Sequence, residues 1–157
     1  MIDDTDREIL TFLQRDGRIS NAEIARQVGM APSAILERIR KLEERGVVRG
    51  YEARLDPKHL GLGLVAFIFV RADDRPGTLC TGDRLAKIPG VHEVHQIAGE
   101  DCYLVKIRAR DTEHLGRLLR EQVSAVKGVR STRTTIALNT LKESGEIPLG
   151  AAEEVQP

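Results

Sequence analysis

The chain has 157 residues, 41% hydrophobic and 31% charged, which suits one compact globular domain or two small ones. Its 24 basic residues balance its 24 acidic ones, so no whole-molecule field draws it to nucleic acid, and any DNA contact must rest on a local patch. Aromatic content of 3% without Trp argues against base-stacking recognition of single strands, and two cysteines give no disulfide framework.

The polar, acidic start of the chain is unlike a secretory leader, and cytoplasmic residence is expected. Residues 1–46 read as three helices. The first covers 4–15, with Asp3 as cap, Asp6 and Glu8 near its positive end, and Ile9, Leu10 and Leu13 as its apolar stripe. Asp16-Gly17 ends it. Ser20 and Glu23 have the spacing of a capping box for a second helix, which Gly29 stops after about two turns. Pro32 suits the first turn of a third helix, whose Ile35, Ile39 and Leu42 recur on one side. Two helices joined across Gly29-Met30-Ala31 have the spacing of a helix-turn-helix, here 21–40. Residues 47–55 read as a linker strand or wing, followed by the turn-like Asp56-Pro57.

The second half alternates strands and helices. Residues 64–71 form a nearly unbroken apolar strand, expected to be covered on both faces, and the apolar run 62–70 is too short to span a bilayer. Residues 78–88 make a weak helix interrupted by Gly82. Strands follow at 91–97 and 102–109, with a turn at Gly99-Glu100-Asp101 between them. Asp111 caps a strong helix over 112–126, and 129–139 is the last strand. The order is βαββαβ, so the fold class is α+β: a helix-turn-helix domain over 2–63, a ferredoxin-like domain over 64–142, and a flexible tail over 143–157.

The third helix carries the nucleic-acid argument. Opposite its apolar stripe lie Ser33, Glu37, Arg40, Lys41 and Glu44, with Arg38 and Arg45 on the flank. Ser33, Glu37, Arg38 and Arg40 have the chemistry to meet base edges or nearby phosphates, while Lys41 and Arg45 suit phosphates. The amides at the start of the second helix, near Asn21, can also hold a phosphate. A merely solvated helix face explains the charges alone equally well, but not the capped short helix and tight turn that accompany them.

His92 and His95 lie three apart on a strand and point to opposite faces, so no metal site is expected without a bulge. Cys80 and Cys102 read as buried small apolar residues. No catalytic constellation stands out, and no enzyme activity is expected. The turn Gly99-Glu100-Asp101-Cys102-Tyr103 is a candidate ligand contact, since glycine permits close approach and the carboxylates can meet an ammonium group. A plain β-turn explains the same residues as well.

These residues resemble the leucine-responsive regulator/AsnC (Lrp/AsnC) family of transcription factors over residues 2–142. The resemblance is carried by Asp3-Asp4-Thr5-Asp6-Arg7-Glu8-Ile9-Leu10, Asp16-Gly17-Arg18-Ile19-Ser20-Asn21, Val28-Gly29-Met30, Glu37-Arg38-Ile39-Arg40-Lys41-Leu42-Glu43, Gly46-Val47-Val48-Arg49-Gly50-Tyr51, Leu55-Asp56-Pro57 and Leu60-Gly61. It implies a sequence-specific DNA-binding regulator, with Pro32 opening the recognition helix. It further implies dimers joined through the C-terminal sheets, often octamers, and no cofactor beyond a small effector, commonly an amino acid. Gly99 to Tyr103 match the family's effector loop, and Thr132, Thr134 and Thr135 lie near that site. Two residues depart from the pattern: Ala31 stands where serine is frequent, weakening a cap, and Cys102 where aspartate is frequent. The expected partner is double-stranded DNA at pseudo-palindromic promoter sites. The alternative is an architectural DNA-wrapping protein without an effector; a further rival is an enzyme-regulatory subunit built on the C-terminal half.

Overall fold

The computed structural model describes residues 2–74 and 80–150. Of these, 2–54 and 142–150 form one compact unit, and 55–74 with 80–141 form a second.

The first unit holds α1 (Asp4–Arg15), α2 (Asn21–Val28) and α3 (Pro32–Glu44). Asp3 caps α1: its Oδ1 accepts from the Asp6 amide at 2.8 Å, and the Asp3 amide donates to Asp6 Oδ2 at 3.4 Å. The reciprocal capping box is therefore on α1. At α2 only half of the expected box forms, with Ser20 Oγ accepting from the Glu23 amide at 3.1 Å. The Glu23 carboxylate instead accepts from Arg26 at 2.6 Å and Gln27 at 2.9 Å. A charge-assisted bond to a guanidinium outcompetes one to a neutral cap amide. Gly29 ends α2 in the left-handed conformation, with φ of 75°. Ala31 gives α3 no side-chain cap.

The apolar stripes read from sequence meet in one core: Ile9, Leu10, Ile24, Ala25, Ile35, Ile39 and Leu42. Residues 47–55 form no strand, contrary to expectation. A strand needs a ladder partner for its amides, and no strand lies in this unit among the described residues. Tyr51 turns back instead, packing by Gly17 and donating its hydroxyl to Glu43 at 2.9 Å. The described part of the expected tail, 142–150, lacks regular structure but is bound to α1. The Gln14 amide donates to the Ile147 carbonyl at 3.1 Å and accepts from the Ile147 amide at 2.7 Å. Arg7 donates to the Gly150 carbonyl at 3.1 Å, and Leu149 packs on the helical core.

The second unit runs β1 (Leu64–Ala72), α4 (Cys80–Leu85), β2 (Val91–Gln96), β3 (Tyr103–Ala109), α5 (Thr112–Leu118) and β4 (Val129–Ile136). The antiparallel sheet has order β2-β3-β1-β4, the expected βαββαβ arrangement. Alternate residues of β1 and β3 (Ala66, Ile68, Val70, Tyr103, Val105, Ile107) pack against Leu85, Leu115, Leu118 and Val123 from the helical segments.

The helix expected over 112–126 is α-helical only to Leu118 and continues as a π-turn over Leu119–Val123, closed by the Ser124 amide donating to the Leu119 carbonyl at 2.8 Å. The wider turn takes one extra residue and brings Val123 to the same side as Leu118, where both are buried. The helix expected over 78–88 is observed as the shorter α4, which ends at Leu85; positions 78 and 79 lie outside the described residues. Its interior Gly82 is required by packing, since a Cβ there would meet the Tyr103 ring at 2.6 Å. The last strand ends three residues earlier than expected. Cys80 is exposed rather than buried, whereas the half-buried Cys102 thiol lies 3.4 Å from both the amide and the carbonyl of Ala72. The short α4 leaves Cys80 at its outer start.

Candidate nucleic-acid interface and effector site

Ile35, Ile39 and Leu42 hold α3 in the core and turn Pro32, Ser33, Leu36, Glu37, Arg40, Lys41 and Glu44 to the surface. Arg40 sits between two carboxylates on its own helix, 3.0 Å from Glu37 and 2.7 Å from Glu44, and Lys41 lies 3.6 Å from Glu37. The hydrogen bond from Arg40 holds the Glu37 carboxyl below its ordinary value. Such exposed pairs contribute little and are readily exchanged for another anion. A shallow groove of about 420 Å³ is lined by Asn21, Leu36, Glu37, Arg40 and Tyr51 among others. Asn21 at the start of α2 thus shares a surface with Glu37 and Arg40.

Arg38 is placed otherwise. Its Nη1 lies 2.7 Å from both Asp3 and Asp6, and Asp6 is buried. The guanidinium ties the start of α1 to α3 and turns away from the face that holds Ser33, Glu37 and Arg40. Arg45, just beyond α3, is exposed. The charge pattern does not point to Leu36, an apolar residue outside the core stripe and 55% exposed; its signal is that mismatch with the helical period.

In the second unit the candidate ligand residues divide between the two faces of the sheet. Thr132 and Thr134 pair with Val70 and Ile68 of β1, and so lie on the helix-covered face. Tyr103 is on that face too, buried, with its hydroxyl donating to Asp74. Thr81 donates to the same carboxylate at 2.7 Å from its hydroxyl. Burial and Asp74 together push the Tyr103 hydroxyl up to about 12. Burial raises Asp74 as well, but the hydrogen bonds from Tyr103 and Thr81 outweigh it and leave the carboxyl below its ordinary value.

The turn itself faces the other way. Gly99 has φ of 129°, a conformation that favours glycine. Glu100 pairs with Arg71 at 3.1 Å and Asp101 with Arg133 at 3.0 Å. The Arg133 guanidinium lies 4.0 Å over the Phe69 ring. By register, Phe67, Phe69, Leu104, Lys106, Arg133 and Thr135 share this second face, which no helix of the unit covers among the described residues. The carboxylates expected to await an ammonium group are thus already paired, and Arg71 and Arg133 join the candidate site. Sequence spacing does not reveal them, because they lie 29 and 32 residues from their partners. His95 contacts Glu93 at 3.2 Å, and β2 has a register shift between Val91 and Glu93. No group of three or more metal-binding side chains occurs among the described residues.

The profile of the Lrp/AsnC ligand binding domain matches residues 65–147, and that of the winged helix-turn-helix DNA-binding family matches residues 2–49. The chain belongs to the Lrp/AsnC family. It is 38% identical to the HTH-type transcriptional regulator FL11 of Pyrococcus horikoshii over 94% of this chain and 97% of that one. It is 35% identical to the leucine-responsive regulatory protein of Escherichia coli K12 over 93% and 90%. A transcriptional regulator of Neisseria meningitidis, solved with L-methionine, superposes with a TM-score of 0.88 at 31% identity, covering 95% of this chain and 97% of that one. As an Lrp/AsnC protein the chain is a DNA-binding transcriptional regulator with a ligand-binding domain, not an enzyme. The helix-turn-helix match lies within the first unit, and the ligand-binding match covers most of the second and continues into the 142–147 segment of the first. No helix among the described residues is long and apolar enough to cross a membrane.

Proposed function

We propose that α3 enters the DNA major groove, with Ser33, Glu37 and Arg40 at base edges, and with Lys41, Arg45 and the α2 amides near Asn21 on phosphates. Pro32 starts the helix and brings it to the groove. Arg38 positions the helix through Asp3 and Asp6. Two such helices, related by a two-fold axis, read a pseudo-palindromic promoter site. Dimers form through the uncovered sheet face bearing Phe67, Phe69 and Leu104, and assemble further to an octamer in the cytoplasm.

The effector is an α-amino acid. The observation that carries this is the double ion pair around the Gly99 turn, Arg71 with Glu100 and Arg133 with Asp101. A zwitterion offers both partners at once: its carboxylate replaces the acidic side chain at a guanidinium, and its ammonium replaces the guanidinium at a carboxylate. The L-methionine complex of the Neisseria protein supports the same ligand class. The backbone of Cys102 and Tyr103, with Gly99, shapes the turn. Thr132 and Thr134 lie on the covered face, opposite to the ion pairs. An effector of unequal affinity for two assembly states shifts the balance between them.

The test is a thermal-shift screen of the twenty amino acids, L-methionine and L-leucine first, followed by a gel shift on the protein's own upstream DNA. Raised melting and altered DNA affinity with at least one amino acid are expected. Silence across the panel favours the architectural, effector-free reading.

A further inference from the structure

Leu36 is the large apolar residue that α3 presents to solvent, 55% exposed while its neighbour Ile35 is fully buried. On a helix its surface neighbours are Ser33 at i−3 and Arg40 at i+4, and it lines the groove with Asn21, Glu37 and Arg40. The other exposed apolar residue of that groove, Tyr51, is already engaged through its hydroxyl on Glu43 and its ring beside Gly17. Leu36 has no comparable task in the unit's core. A second copy of the chain packed here would strip water from Glu37 and Arg40 as well as from Leu36. The major groove suits this mixture: beside its donors and acceptors it carries one apolar group, the thymine 5-methyl.

We propose that Leu36 is a specificity-determining residue that packs against a thymine 5-methyl next to the base pair met by Arg40. It rests on the reading of α3 as the groove helix. The methyl contact adds selection for T over C at a position where Arg40 and Glu37 supply the polar reading. Because the contact is apolar, it contributes specificity that salt does not screen, on a face whose charges largely cancel one another.

Binding is measured by fluorescence anisotropy on a duplex from the protein's own upstream region, and on the same duplex with deoxyuridine replacing every thymidine. Wild type, Leu36→Ala and Arg40→Ala are compared, with melting temperatures as the check on folding. Leu36→Ala is expected to weaken binding to the thymine duplex about four-fold, the equivalent of one methyl group withdrawn from an apolar contact. It is expected to bind the deoxyuridine duplex as wild type does, because the methyl is already gone and the two losses do not add. Arg40→Ala should weaken binding to both duplexes by the same factor. Equal loss for Leu36→Ala on both duplexes, or no loss on either while Arg40→Ala binds weakly, overturns the methyl contact and leaves the groove helix standing. No change for either variant overturns the groove helix itself.

Discussion

On α3 the exposed charges pair within a single helix, three or four residues apart, as Arg40 does with Glu37 and Glu44. On the open side of the sheet they pair across long stretches of chain, 29 residues from Arg71 to Glu100 and 32 from Arg133 to Asp101. The helical pairs exist wherever the helix exists, and opening them costs little. The sheet pairs exist only once β1, β3 and β4 are in register, and they tie a turn to two strands. One region therefore holds its charges ready to exchange one ionic partner for another. The other couples the position of a turn to the order of the sheet, which is what a ligand-responsive unit needs.

The largest way to break this contrast is to weaken the sheet beneath the turn. Ile68 is fully buried in β1, the strand that carries Arg71, between β4 with Arg133 and β3, which follows the turn. Ile68→Ala is expected to cost about 2–5 kcal/mol in chemical denaturation. A cost below about 1 kcal/mol would mean that the sheet pairs do not depend on a packed core.

Asp74 sharpens the contrast on a smaller scale, because it too joins distant parts of the chain, Thr81 and Tyr103. Its folded-state value lies below the ordinary 3.8. Its contribution is therefore present in full above that ordinary value and is lost as pH falls through the lowered one. Asp74→Asn is expected to cost about 0.5–1.5 kcal/mol at neutral pH, the net worth of a hydrogen bond at a half-buried acceptor. It should also flatten the acid limb of stability against pH. Thermal melting of wild type and variant between pH 3 and 7 checks both, and parallel acid limbs would count against the role given to this carboxylate.

What was legible in the sequence follows the same division. Caps, stops and apolar stripes are local signals, and α1, α2 and α3 begin and end close to where Asp3, Ser20, Gly29 and Pro32 place them. The strand order was legible from alternating segments, because short turns and capped helices leave few ways to close a βαββαβ unit. The π-turn after Leu118 was not, since Leu115, Leu118, Leu119, Val123 and Val126 fall on one stripe of an ordinary α-helix and nothing in their spacing announces a wider turn. Gly82 reads as a helix breaker and is instead the floor beneath the Tyr103 ring. Arg38 reads as a contact to bases or phosphates because it flanks the polar side of α3, and only the fold brings Asp3 and Asp6 beside it. Arg71 and Arg133 were invisible for the same reason, as partners set by strand register rather than by spacing. The segment 47–55 has strand-like residues but no ladder partner in its own unit, so pattern alone overstates it.

The most direct measurement is a salt titration of DNA affinity for wild type and for the double variant Arg40→Ala/Lys41→Ala on the protein's own upstream duplex. Both side chains are exposed on α3, so the variant's melting temperature should match that of wild type. The expected result is an affinity at least about ten-fold lower, with the slope of log affinity against log salt smaller by about one. A folded double variant that binds as tightly as wild type, with the same slope, would contradict the assignment of α3 to the DNA groove.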